Sequence, residues 1–272
     1  MTEAYGLGRT SSLLLKQLAG SGKTFFTHKD AARYWNGGKQ GLNNFLYRMA
    51  KRRWIRRLER GKYMILPFES GPSGEFTEHE FIIASRLVSP YMIGLWSALN
   101  HHGLTEQIPD RVYLLSTKTK HRYQGVMAGV SYRILTVPKD LFSGATFIWV
   151  GQEKIWMTDL EKTLLDALLW PEHCGGFAEV AKAYREAKSK VDLLKLENYA
   201  RKMGRGVAFK RMGVLGEWLG WPQEMLLRWK RLKSRGISLL DPQGPKAGPR
   251  ISRWNTRLNF NLEGFLDRER RA

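Results

Sequence analysis

A two-part α+β fold is what this 272-residue sequence predicts, and three observations carry the prediction. Apolar residues in the first seventy positions recur at helical spacing and then give way to a short hairpin pattern. Capped helices and strand-like runs are mixed through the rest of the chain. Between the two patterns lies Glu69-Ser70-Gly71-Pro72-Ser73-Gly74, a stretch of linker composition. The expected domains are therefore residues 1–70 and residues 71–272.

Composition narrows the class. At 43% hydrophobic and 12% aromatic the chain has material for packed cores, which excludes wholesale disorder. A single cysteine, Cys174, excludes an internal disulfide framework and any cysteine-rich zinc module. No basic leader precedes the short Leu13–Leu15 run, so no export signal is read. The most apolar stretch, Phe81 to Leu99, contains Arg86 and the Ser89-Pro90 break, and reads as two helices rather than a membrane span. A cytoplasmic protein with no membrane partner is expected. The 45 Lys and Arg against 25 Asp and Glu give a formal charge of +20, which points first to nucleic acid and second to an anionic membrane surface. That charge is uneven. Residues 1–70 carry 14 basic and 4 acidic side chains; the middle is mildly acidic and residues 182–272 are again strongly basic, which implies at least two functional surfaces. No internal repeat or low-complexity tract is present.

The head reads as three helices and a hairpin. A first helix runs from about Thr10 to Leu18, ending at Gly20. Thr27 caps a second that carries Ala31, Ala32, Tyr34 and Trp35 and stops at Asn36-Gly37-Gly38. A third spans roughly Lys39 to Arg53, with Leu42, Phe45, Leu46 and Met49 forming one apolar stripe. Trp54 to Leu58 and Lys62 to Leu66 form strands joined at Glu59-Arg60-Gly61, where Gly61 suits a positive φ. That order is the order of a winged helix-turn-helix. In such a module the third helix enters the major groove, so its polar face supplies the candidate DNA-binding residues Lys39, Gln40, Asn43, Asn44, Tyr47, Arg48 and Lys51. Asn and Gln bond adenine bidentately and Arg bonds guanine. Arg52, Arg53, Arg56 and Arg57 sit where phosphates pass, and Arg60 and Lys62 tip the hairpin. Taken singly, Tyr47 and Trp54 read as packing residues, and the whole basic face also reads as a solvated surface.

Several motifs fail. Gly20-Ser21-Gly22-Lys23-Thr24 lacks the first glycine of a phosphate-binding loop, that position being Gln17, and reads as an interhelical turn. The six histidines have no metal-ligand spacing. His173-Cys174 has only adjacency, and Cys174 reads as a buried thiol. Pro109-Asp110 with Gln152-Glu153-Lys154 faintly matches a metal-dependent nuclease, but Asp110 and one imperfect partner are too few ligands for a hard cation.

The rest reads as a mixed α/β domain with a basic helical tail. Thr77 and Thr158 each begin a capping box, Pro90 opens a helix after Ser89, and strands are expected at Arg111 to Ser116, Gly129 to Val137, Ala145 to Val150 and Lys154 to Met157. The Thr158 helix buries Leu160, Leu164, Leu165 and Leu168 and ends near Pro171. Asp192 caps a helix through Met203, and Pro222 opens another bearing Met225, Leu226, Trp229 and Leu232. A final strand is expected at Arg257 to Leu262.

The head, together with Ser97-Ala98-Leu99-Asn100-His101-His102-Gly103-Leu104, the Pro109-Asp110-Arg111 strand entry and Thr158-Asp159-Leu160-Glu161-Lys162-Thr163-Leu164-Leu165-Asp166, resembles the AbiEi-type antitoxins of bacterial type IV toxin–antitoxin systems. The resemblance covers nearly the whole chain except the basic tail. It implies a winged-helix repressor of its own operon, binding double-stranded promoter DNA, with a C-terminal domain that opposes a nucleotidyltransferase-like toxin. It implies no enzyme activity and no cofactor. The alternatives are a standalone winged-helix regulator without a toxin partner and, more remotely, a DNA-processing nuclease.

Overall fold

In the computed structural model, which describes residues 9–20, 24–66, 79–119, 124–127, 129–262 and 264, the chain separates into two units, Met1–Glu78 and His79–Ala272. The expected linker at 69–74, residues 21–23 of the glycine-rich turn and Thr77 of the first expected capping box lie outside the described residues.

The first unit runs α1 (Arg9–Gly20), β1 (Phe25–Thr27), α2 (His28–Ala32), α3 (Lys39–Lys51), β2 (Ile55–Glu59) and β3 (Lys62–Ile65). The stripe Leu42, Phe45, Leu46 and Met49 is buried, against Leu14, Leu15 and Leu18 of α1 and Phe26 and Ile55 of the strands. Thr27 caps α2 through a reciprocal box: its hydroxyl accepts from the Asp30 N–H at 3.1 Å, and the Asp30 carboxylate accepts from the Thr27 N–H at 2.9 Å. Such caps contribute about 1 kcal/mol. α2 is shorter than expected and ends before Tyr34 and Trp35. α3 stops at Lys51 rather than Arg53, because Arg53 has φ +59°, which no right-handed helix continues. β1 is a strand the sequence did not disclose, three residues being too few to show alternation. It completes a sheet of order β1-β3-β2, antiparallel throughout, with Phe25 opposite Met64 and Arg57 opposite Tyr63. Gly61 turns the hairpin at φ +78°, a conformation open to glycine at no steric cost.

The second unit begins with α4 (Glu80–Leu87), β4 (Met92–Ile93), α5 (Leu95–His101), β5 (Arg111–Ser116), β6 (Gln124–Met127), β7 (Val130–Thr136), β8 (Ala145–Val150) and β9 (Glu153–Thr158). The helices α6 (Leu160–Leu169), α7 (Phe177–Glu186), α8 (Leu193–Lys202), α9 (Gly206–Leu219) and α10 (Gln223–Leu232) follow. Three two-residue strands close it: β10 (Ser238–Leu239), β11 (Arg250–Ile251) and β12 (Thr256–Arg257). The large sheet is mixed, of order β6-β7-β5-β4-β9-β8, with β5–β7 and β4–β9 parallel. Its central strand β5 is buried from Val112 to Ser116, as expected of a strand covered on both faces. The Phe81 to Leu99 stretch is two helices with the strand β4 between them, and no described helix is long and apolar enough to cross a membrane.

Four expectations are corrected. Pro90 opens no helix; it stands in a bend between α4 and β4. His79, not Thr77, caps α4, its Nδ1 accepting from the Phe81 N–H at 3.2 Å. The cap of α6 is Asp159, whose carboxylate accepts from the Lys162 N–H, while the Thr158 hydroxyl is held by the Thr163 hydroxyl at 2.7 Å. The last strand is Thr256–Arg257 alone, because Asn259 turns its amide onto the Asp241 and Pro245 carbonyls instead of extending a ladder.

The basic tail belongs to the core of this unit. Tyr184, Leu196, Met212, Trp229 and Trp254 pack in one cluster with Leu95, Leu164 and Leu168. Gly213 permits the Trp254 contact, since a Cβ there would lie 2.3 Å from the indole ring. Arg228 of α10 bonds the buried Glu197 of α8 at 2.9 Å.

Candidate nucleic-acid interface

The apolar stripe of α3 fixes what its other faces present. With Leu42, Phe45, Leu46 and Met49 turned inward, Lys39, Gln40, Asn43, Asn44, Tyr47, Arg48 and Lys51 are all exposed. Tyr47 is 69% exposed, so the packing reading of that ring is overturned. At 100° per residue these side chains divide into two adjoining arcs. Lys39, Asn43 and Tyr47, at i, i+4 and i+8, face the β2–β3 hairpin; Gln40, Asn44, Lys51 and Arg48 continue round the helix.

The first arc and the hairpin enclose a cleft of about 510 Å³, lined by Lys39, Asn43 and Tyr47 on one side and Arg57, Arg60 and Tyr63 on the other. A bulge in β2 aims the arginines. The register shifts between Arg57 and Glu59, so Ile55 and Leu58 are both buried while Arg57 is exposed. An extra residue in one strand does this by re-phasing the side chains that follow it. Arg57 donates from Nε to its own hairpin at the Glu59 carbonyl, 3.3 Å away. The Lys62 ammonium meets the Glu59 carboxylate at 2.7 Å. Arg60 is exposed at the turn, Arg52 is the exposed C-cap of α3, and Arg56 is half-buried in β2.

Of the residues singled out from sequence, the cleft therefore gathers Lys39, Asn43, Tyr47, Arg57 and Arg60. It adds His28, which the sequence marks only as one of six histidines without metal-ligand spacing. His28 is the first residue of α2, and its Nε2 lies 2.8 Å from the Asn43 Oδ1, orienting that amide. The signal was present in the capping box at Thr27, which fixes where the next side chain points.

The second unit brings none of the other candidate groups together. Asp110 is clasped by its neighbour Arg111, whose guanidinium holds the carboxyl below the usual range. Glu153 pairs with Arg86 at 2.8 Å. With β4 antiparallel to β5 and parallel to β9, Asp110 and Glu153 sit at opposite ends of the sheet. No cluster of three metal-ligating side chains occurs among the described residues. Cys174 is buried, which pushes its thiol well above the ordinary value. His102 bonds the Thr158 carbonyl at 2.8 Å, a structural contact between α5 and β9.

No protein-family model and no curated protein sequence matches the chain. Among solved structures it is similar to the RV2827C protein from Mycobacterium tuberculosis, at 13% identity and a TM-score of 0.65, over 97% of this chain and 96% of that one. The likeness at that identity is one of fold.

Proposed function

We propose that this protein is a duplex-DNA-binding repressor, with its first unit acting as a winged helix-turn-helix. One observation carries the reading: the exposed polar face of α3 and the arginines of the β2–β3 hairpin border the same cleft. The order α-β-α-α-β-β and a sheet of order β1-β3-β2 support it. In this arrangement α3 reads base edges, Asn44 and Arg48 supplying the bidentate groups, while Arg57 and Arg60 meet backbone phosphates beside the groove. Neither a cofactor nor a catalytic residue is needed.

The test is a titration of the full chain on its own promoter fragment and on random duplex. Asn44→Ala and Arg48→Ala should each weaken specific binding by about 1–3 kcal/mol at one base position, with non-specific binding little changed. Unchanged preference in both variants contradicts the assignment of α3.

The resemblance to AbiEi-type antitoxins extends the proposal to a toxin–antitoxin operon, with the second unit opposing a nucleotidyltransferase-like toxin. A neighbouring nucleotidyltransferase reading frame is then expected, whereas a standalone regulator would have none. Expressed from a foreign promoter, Arg48→Ala should still rescue cells from that toxin. Rescue that disappears with DNA binding would make neutralisation purely transcriptional.

A further inference from the structure

The β8–β9 hairpin at the edge of the six-stranded sheet carries a surface that the DNA-binding reading leaves unused. Phe147, Trp149 and Trp156 stand on its outer face, 44%, 65% and 41% exposed. Phe147 lies directly across from Trp156, and Trp149 from Lys154. The rings meet edge to face, with Phe147 6.1 Å from Trp149 and 6.0 Å from Trp156. The Lys154 ammonium lies over the Phe147 ring, 3.8 Å from its centroid. Exposed aromatics clustered in this way mark a contact surface rather than scattered surface residues.

β8 itself is the second observation. Among the described residues it pairs with β9 alone, so its other edge offers a row of backbone donors and acceptors. Edge strands are ordinarily protected by charge, proline or a bulge. Ala145-Thr146-Phe147-Ile148-Trp149-Val150 has no charged residue, no proline and no glycine, and its register with β9 runs unbroken over all its residues.

We propose that this edge pairs with the same edge of a second copy, joining two sheets about a two-fold axis at Ile148. The strand is complementary to itself in one antiparallel register. With Ile148 opposite its own mate, Phe147 falls opposite the partner's Trp149 and Trp149 opposite the partner's Phe147, an aromatic cross-strand pair made twice. A two-fold contact requires this reciprocity, in which the same patch serves both subunits. The pairing sets the Phe147 and Trp149 rings of the two copies side by side, while Trp156, on β9, lies one strand further from the contact. Charge also fits a second copy better than a nucleic acid. A strand of nucleic acid needs cations along its backbone, and this hairpin has one, Lys154, beside one carboxylate, Glu153. For two molecules of +20 each, a nearly neutral face is where contact costs least, and screening by salt should favour it.

Sedimentation of the full chain, without DNA, tests the proposal independently of the DNA-binding reading. The wild type should sediment at twice the mass of the chain, with the dimer favoured by added salt. Trp149→Lys, a change at an exposed position, should be monomeric with an unaltered thermal melt. Ile148→Cys should cross-link to a covalent dimer under mild oxidation, Cys174 being buried and unable to contribute. A wild type that is monomeric at both low and high salt overturns the proposal. So does a dimer that survives Trp149→Lys and leaves Ile148→Cys uncross-linked, since its interface would lie elsewhere. A monomer whose tryptophan fluorescence is quenched by single-stranded polynucleotide, in a manner lost in Trp149→Lys, would assign the surface to nucleic acid instead.

Discussion

Lys162 and Asp166 are one helical turn apart in α6, both fully buried, with the ammonium 2.5 Å from each carboxylate oxygen. Burial raises the Asp166 carboxyl to about 6 despite the neighbouring ammonium, the expected direction where desolvation outweighs attraction. Removing one partner strands the other charge in the core. Asp166→Asn should therefore cost about 3–5 kcal/mol in urea denaturation, whereas Lys162→Met with Asp166→Leu should recover most of that loss. A double variant as unstable as the single one would show that the pair contributes more than mutual neutralisation. The sequence disclosed the helix but not this pair, since charged residues one helical turn apart look the same whether they face solvent or the core. The cap was misplaced by one residue for a similar reason: Thr158 and Asp159 are both good caps, and only the tertiary contact of Thr158 with Thr163 separates them.

Helices with a one-sided pattern or a side-chain cap were legible, and a helix with neither was not. α3 showed its stripe, α8 its Asp192 cap, and α10 its Met225, Leu226 and Trp229 face, and each lies where spacing placed it. α9 was missed. It is buried from Ala208 to Gly216, including Lys210 and Arg211, so its apolar residues have no period to read. Its two cations end on backbone carbonyls, Lys210 on Arg235 and Gly236, Arg211 on Leu168 and Leu239. The junction of α8 with α10 gives a pH test. Burial works to raise the Glu197 carboxyl, but hydrogen bonds from Arg228 and Arg201 more than reverse this and hold it below its ordinary value of 4.5. A carboxyl depressed in the folded state adds stability above its unfolded pKa, and that stability is lost as pH falls through the folded value. Glu197→Gln should be less stable by about 1–2 kcal/mol at neutral pH, a modest figure because both arginines reach solvent. The difference should shrink below pH 4.5. Constant destabilisation down to low pH would mean that the glutamate acts through packing and not through charge.

For the molecule as a whole, composition showed two basic surfaces without showing that they differ in kind. The hairpin arginines Arg57 and Arg60 line an open cleft beside α3. In the tail, Arg228 is bound to Glu197, and α10 spends its apolar stripe on the core of its own unit. The charge break near residue 70 is a property of the sequence itself. The role of the tail was not legible there, because a basic amphipathic helix looks the same whether it packs at home or binds a partner. A salt titration on the promoter fragment separates the two, since each phosphate contact contributes about −0.9 to the log–log slope of affinity against salt. Arg57→Ala with Arg60→Ala should flatten the slope by up to about two units, and Arg228→Gln with Arg231→Gln and Arg235→Gln should leave it nearly unchanged. A slope that flattens with the tail variants and holds with the hairpin variants would contradict the account and make the tail the principal DNA clamp.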